Sequence, residues 1–286
     1  DWSGEFYGYV EHGYLLLASI VKLIYNNATF YFLAMGGLSM LLLYKGLKMY
    51  CAIPLLGLCD YAGRFLLNRD FQQMRSSLAI LLLILAIKLI RDRKLVAYML
   101  VVLLAYQFHH LSLLGIPLYF LYKVRIGPIS IIFSLVMAML LSQLLAGSIS
   151  GVVDGYSQDL NYDTYVQGEY VEEALGLRNP MIYFQIVILM VYTFMEPVLA
   201  SKDKFYHLMR WAYFYSTLIL IFFCNYTTLS GRTSTVFATC EMFVLPSMVS
   251  GLGKRLRIVF YVIVGGVLTY FFWSKYHSAM MMMGVM

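Results

Sequence analysis

Five groups of residues carry the chemistry this chain can offer. Arg75, in FQQMRSSLAILLL, stands at the head of an apolar run and so in the first turn of a helix. A cation there opposes the helix dipole, whose starting end is positive, and needs an anion nearby. A planar guanidinium beside the free amides of a helix start suits a phosphate or diphosphate. A snorkelling arginine paired with Asp70 is the plainer alternative. Arg232, in CNYTTLSGRTSTVF, lies among Thr227, Thr228, Ser230, Thr233, Ser234 and Thr235. Such hydroxyls either meet sugar hydroxyls or cap a helix around one surface arginine. Arg178 is a third outlying cation and a further candidate for the same anion. His109, in AYQFHHLSLLGIPLY, suits an acid, base or phosphate donor near neutral pH, or a hydrogen-bonded structural residue. Its neighbour His110 would diverge from it by about 100° on a helix, so the two do not easily share one metal ion. Glu11, in GYVEHGYLLL, is a general base or a helix cap.

The polar segment 147–179 adds tyrosines and acids. Tyr156, Tyr162, Tyr165 and Tyr170 are flat amphipathic surfaces of the kind on which sugars stack, unless the segment is merely solvated. Asp154, Asp159, Asp163, Glu169, Glu172 and Glu173 lack calcium-loop spacing, and no metal site is expected. Walker, GxGxxG and HExxH motifs are missing, so nothing supports nucleotide use. Cys51, Cys59, Cys224 and Cys240 fall in apolar segments without paired spacing and read as small hydrophobes.

The elements that position these residues must cross a membrane. Hydrophobic residues make up 61% of the 286 and charged ones 13%, with mean hydropathy +0.74. A soluble domain carries about twice that charge. The chain predicts an all-α polytopic membrane protein forming a single domain over residues 1–286, with about nine spans. Residues 13–25 make a short re-entrant or interfacial helix. The candidate segments for these spans are 28–47, 51–67, 76–90, 95–108, 111–122, 128–146, 180–199, 205–225, 233–250 and 258–274. Lys45, Lys48, Arg91, Arg93, Lys94, Lys123, Arg125, Lys202, Lys204, Lys254, Arg255 and Arg257 fall on one side. That side is cytoplasmic by the positive-inside rule. Arg69, Arg75, Arg178, Arg232, Glu11, His12, His109 and His110 then face outward, and the net charge of +6 reports topology rather than nucleic acid. The start at Asp1, without an initiator Met, implies an upstream segment.

The order of these motifs resembles the EpsG family of Wzy-like polysaccharide polymerases. The resemblance rests on EHGY at Glu11–Tyr14, LLLYKGLK, FQQMRSSLA at Arg75, FHHLSLLGIPLY with His109 in the family position, and LSGRTSTVFATCEMFVLP at Arg232. His12 replaces a common Pro, His110-Leu111-Ser112 replaces a small-residue position, and the usual first span is absent. The resemblance implies a metal-independent glycosyltransferase without cofactor, with a GT-C-like architecture as one expected form, in a bacterial inner membrane. It would polymerise undecaprenyl-diphosphate-linked oligosaccharide at the outer leaflet, for O-antigen, capsule or exopolysaccharide. Arg75, Arg232 and Arg178 would hold the diphosphate, Glu11 or His109 would act as base, and Tyr156, Tyr162 and Tyr165 would bind glycan. A flippase and a chain-length regulator are implied partners. An O-antigen ligase would share the outward arginines. A lipid-linked sugar flippase or transporter would need charges along a path in mid-span, for which Asp60, Arg64, Glu196 and Glu241 are the candidates.

Overall fold

The structure, a computed structural model, describes residues 11–146 and 175–282, and all regular elements among them are helical. They are α1 (His12–Ile24), α2 (Ala28–Tyr50), α3 (Pro54–Tyr61) running directly into a π-helical segment (Ala62–Phe71), α4 (Met74–Arg91) and α5 (Leu95–Tyr106). A 3-10 turn (His110–Leu114) leads into α6 (Gly115–Leu121), followed by α7 (Pro128–Leu144). A second 3-10 turn (Gly176–Arg178) precedes α8 (Pro180–Phe194), α9 (Glu196–Leu199), α10 (Tyr206–Phe222), α11 (Thr227–Ala238), α12 (Glu241–Gly251) and α13 (Lys254–Met282). Prolines open α3, α7, α8 and α9, where the missing N–H costs nothing. Asn27 and Asn179 cap α2 and α8 by accepting from the backbone N–H of Phe30 and Met181.

Helix α4 is the axis of the bundle. Every residue from Ser76 to Leu81 is buried, as expected of an apolar helix enclosed on all sides. It packs against α2, α5 and the π-helical segment, while α10 packs along α7, α8 and α11. The exterior is apolar: Leu23, Ile129, Leu144, Val262, Tyr270 and Trp273 are all well exposed. An apolar outside suits a lipid solvent. Helices Ala28–Tyr50 and Lys254–Ser278 are long and apolar enough to cross a membrane by length and composition, and the remaining apolar helices are shorter. The expected span at 233–250 is two helices, α11 and α12, separated at Thr239 and Cys240. Arg232 accordingly lies within a helix rather than ahead of one.

The basic loops gather at one end. Arg91 lies 4.5 Å over Phe205 and Arg93 5.0 Å over Tyr122. Arg210, which pairs with Glu196, also donates to the Ile126 carbonyl at 3.0 Å. Inside the bundle Arg64 Nε meets Glu241 Oε1 at 3.1 Å, and Tyr213 donates to Glu241 Oε2 at 2.8 Å. Phe184 and Phe271 flank the guanidinium at 5.1 and 4.9 Å. Lys275 of α13 donates to the Arg64 carbonyl, and Gly63 lies so close to Leu268 that a Cβ there would stand 3.0 Å from the Leu268 carbonyl oxygen. These contacts tie the long, mostly exposed α13 to the bundle.

Candidate active site

The chain brings together residues from three distant stretches at the starts of α1 and α4 and just past the end of α5. Glu11 immediately precedes α1 with extended backbone, and its side chain makes no capping bond to the helix. Its carboxylate instead accepts from Arg75 Nη1 at 2.6 Å. Arg75 is the second residue of α4, so the cation placed against the helix dipole has its anion in Glu11 rather than Asp70. Asp70 accepts from Tyr61 at 2.8 Å and from Ser77 at 2.6 Å. The Glu11 side chain is 5% exposed and that of Arg75 39%, so the arginine keeps an accessible edge.

The motif Glu11-His12-Gly13-Tyr14 has a physical explanation for each matched position. Tyr14 N–H donates to the Gln107 carbonyl at 3.3 Å, drawing the first turn of α1 onto the end of α5. A Cβ on Gly13 would stand 2.6 Å from Gln107 Cβ and 2.8 Å from its carbonyl oxygen, so only glycine permits that approach. The Tyr14 ring faces the Arg75 guanidinium at 5.7 Å, and the Tyr14 and Tyr31 hydroxyls are hydrogen-bonded. Gly13→Ala is therefore expected to lift α1 from Gln107 and displace Glu11 from Arg75. Loss of most activity in a protein whose melting temperature falls by only a few degrees would show the effect.

The histidines depart from expectation. Residues 107–109 end α5, and His109 is extended (φ −164°, ψ 131°) before the 3-10 turn begins. The divergence of about 100° that holds within a helix therefore does not apply. The two rings lie 4.5 Å apart, centroid to centroid, at 33°. His109 Nδ1 accepts the Leu111 N–H at 3.2 Å, capping the turn, and buried Ser112 donates to the Val102 carbonyl at 3.4 Å. His110 Nδ1 stands 3.6 Å from Glu11 Oε1. Sequence reasoning set His110 aside, yet it is the histidine in contact with Glu11.

The charges act on one another. Burial alone would raise the Glu11 carboxyl. The hydrogen bonds from His110 and its own backbone, with the charges of Arg75 and His109, outweigh burial and hold it at about 2. Burial is the main cause that lowers His109 to about 4; His110, Arg75 and Arg232 add to it, and Glu11 opposes it. His109 is therefore neutral near pH 7. Its folded value lies below the ordinary 6.5, so the stability it contributes is complete above pH 6.5 and is lost as pH falls toward 4. The melting temperature is expected to drop across that window, and His109→Asn, which keeps a cap acceptor for Leu111, is expected to flatten the drop.

Arg232 joins the site through its charge on His109. It lies inside α11, where Thr233, Thr235 and Thr239 donate to the carbonyls of Leu229, Arg232 and Thr235. Those three hydroxyls serve their own helix and are not displayed to a sugar. The adjacent pair Arg69 and Asp70 positions both arginine-bearing helices. Arg69 donates to the Thr239 hydroxyl and the Thr235 carbonyl of α11, while Asp70 takes the hydroxyl of Ser77, two residues beyond Arg75. Arg178 ends its 3-10 turn exposed, and no hydrogen bond or ion pair among the described residues joins its side chain to the cluster. Tyr156, Tyr162, Tyr165 and most of segment 147–179 lie outside the described residues.

Glu11, His109 and His110 are the one set among the described residues whose donor atoms are close enough for a metal ion, within 4.8 Å of one another. Two of the lone pairs are already committed. His109 Nδ1 is bonded to the Leu111 N–H, which leaves its other nitrogen protonated, and one Glu11 oxygen is bonded to Arg75.

Compared with known proteins, residues 2–285 match the family described as the EpsG family. No curated protein and no solved structure matches the chain.

Proposed function

Because the chain belongs to the EpsG family, a Wzy-like polymerase family, we propose that it is a membrane glycosyltransferase that lengthens polysaccharide on a lipid diphosphate. Its substrate is oligosaccharide carried on undecaprenyl diphosphate, its place a bacterial inner membrane crossed about nine times, and its site the outer leaflet. The observation that carries this reading is the gathering of Arg75, Glu11, His109 and His110, with Arg232 in electrostatic reach, on helix ends away from the basic loops. The reaction displaces a diphosphate, and its charge builds up as the glycosidic bond to the carrier breaks. Two arginines fixed at that depth stabilise the charge without a metal. Arg75 uses Nη1 for Glu11 and offers its remaining N–H groups to the phosphate oxygens. Arg178 is a third cation for the diphosphate, and Tyr156, Tyr162 and Tyr165 of segment 147–179 bind the glycan. A flippase supplies the repeat units, and a chain-length regulator is a fitting partner.

A transporter needs an open path of charges. The mid-bundle candidates Arg64 and Glu241 are instead closed on each other and almost wholly buried, Asp60 is wholly buried in charge contact with both, and Glu196 pairs with Arg210 at the basic end. That favours a one-sided site over a path. Cells lacking the chain are expected to retain single repeat units, whereas loss of a ligase leaves none attached. Cysteines placed at positions 75 and 232 are expected to react only from outside. Alternating access at those positions would overturn the transferase in favour of a transporter.

A further inference from the structure

Helices α7 and α10 run side by side from the basic end, and between them lies an open groove of about 420 Å³. Phe133, Met137 and Leu141 of α7 form one wall, and Tyr215, Leu218 and Phe222 of α10 form the other. The positions advance by three or four residues, so each wall is one face of its helix. Ala138 and Ile219 line the groove with only 8% exposure each, whereas Phe133 is 65% exposed. The Ser134 hydroxyl is spent on the Ser130 carbonyl of its own helix at 2.8 Å, and the Tyr215 ring packs on Phe237 of α11 at 5.7 Å. The groove is therefore apolar. It follows the helices toward their outer end for about 12 Å, the rise from Phe133 to Leu141.

That outer end is fixed and carries a cation. Asn225 Nδ2 donates to the Ser142 carbonyl at 2.9 Å, and the Tyr226 hydroxyl donates to the Ala146 carbonyl at 2.8 Å. The turn between α10 and α11 is thereby tied to the end of α7. Asn225 also meets the turn that bears Arg178. A Cβ on Gly176 would stand 3.1 Å from Asn225 Oδ1, and its φ of +53° favours glycine. Leu177 packs against the core, and Arg178 next to it is exposed. Beyond Tyr226 the chain enters α11, which carries Arg232 to within charge range of His109. An apolar trough that ends beside a guanidinium, at the helix leading to the cluster, suits a molecule with a hydrocarbon tail and an anionic head.

We propose that the groove between α7 and α10 seats the polyprenyl tail of the lipid diphosphate, with Arg178 at its mouth meeting the diphosphate. This rests on the transferase reading and gives the tail of its substrate a place. Bilayer hydrocarbon is as apolar as the groove, so apolarity alone draws nothing into it. The gain is close packing against a preformed trough, joined to a head that arginine holds. The methyl branches of a polyprenyl chain fill an uneven wall of rings around the small Ala138 better than a straight acyl chain does. Arg178, which has no printed bond to the Glu11 and Arg75 pair, thereby gains a task at the same outer surface.

The test uses purified wild-type protein in phospholipid nanodiscs and a polyprenyl diphosphate with a diazirine on the isoprene unit nearest the head. Illumination is expected to label Met137, Leu141, Leu218 or Phe222. Unlabelled polyprenyl diphosphate is expected to compete, and the same amount of phosphatidylglycerol is not. Ala138→Phe, which fills the groove, is expected to raise the KM of a long-chain carrier about tenfold, and to raise that of a carrier cut to a few isoprene units far less. Arg178→Ala is expected to raise the KM of both. Label confined to other surfaces such as α13, equal displacement by phosphatidylglycerol, or an Ala138→Phe penalty equal for both carriers overturns the assignment. The photolabel needs neither turnover nor a folded variant, so the two readings fail separately. A labelled groove in a protein that forms no glycosidic bond keeps the groove and removes the transferase. Chain growth by a protein labelled elsewhere keeps the transferase and removes the groove.

Discussion

Arg75→Ala is expected to slow chain growth about 10²–10³-fold in kcat, the loss typical when one preorganised donor is removed from a developing negative charge. Arg75 has two tasks that compete for one guanidinium. In the resting site Nη1 holds Glu11 at 2.6 Å, and the remaining N–H groups are the edge left to a phosphate. Alanine removes both. The carboxylate keeps His110 but loses its cation, so a modest fall in melting temperature is expected alongside the catalytic loss. Arg75→Lys separates the tasks. Lysine restores the charge beside Glu11 without the planar fork, so folding should recover more fully than turnover. A well-folded Arg75→Ala protein that makes polymer at the wild-type rate would remove Arg75 from the mechanism.

Glu241→Ala is expected to have the largest effect on folding. It removes the carboxylate that Arg64 bonds, with only the unbonded buried Asp60 left in range of a guanidinium packed among Phe65, Phe184 and Phe271, and it strips Tyr213 of its acceptor. Breaking a buried ion pair from one side costs about 3–5 kcal/mol, a large fraction of a domain's stability. The protein should fail to accumulate in membranes as a monodisperse species. The double change Arg64→Met with Glu241→Leu fills similar volume with apolar atoms and should recover more folded protein than either single change. Equal accumulation of Glu241→Ala and wild type would show that the pair does not hold α12 to the π-helical segment.

How far the sequence revealed this site depends on the kind of contact. Glu11, Arg75 and His109 were legible because a charge at an apolar boundary is costly and stands out. The family motif orders them, and the structure supplies reasons that spacing cannot: Gly13 for its approach to Gln107, and Tyr14 for the ring under Arg75. His110 was passed over because the 100° divergence presumed helical backbone at 109–110, although the expected spans already break there. Further cues were Gly115 and Pro117 just beyond, which make a continuous helix less secure, while the cap is supplied by His109 itself. The Arg64–Glu241 pair joins residues far apart in the chain, so each read as an isolated charge in mid-span. Of the two uses the hydroxyls around Arg232 left open, Thr233 and Thr235 show the local one, because Ser and Thr can bond back to their own helix as readily as to a ligand.

The central claim is that arginines and a histidine–carboxylate pair in one site transfer glycan off a lipid diphosphate. Its most direct test supplies purified wild-type protein in liposomes with labelled undecaprenyl-diphosphate-linked repeat units, in the presence of EDTA. The expected products are a ladder of whole multiples of the repeat and one free lipid diphosphate for each bond formed, both forming about 10²–10³-fold more slowly with Arg75→Ala. Repeat units that stay single, or cross the bilayer without any new bond, would contradict it.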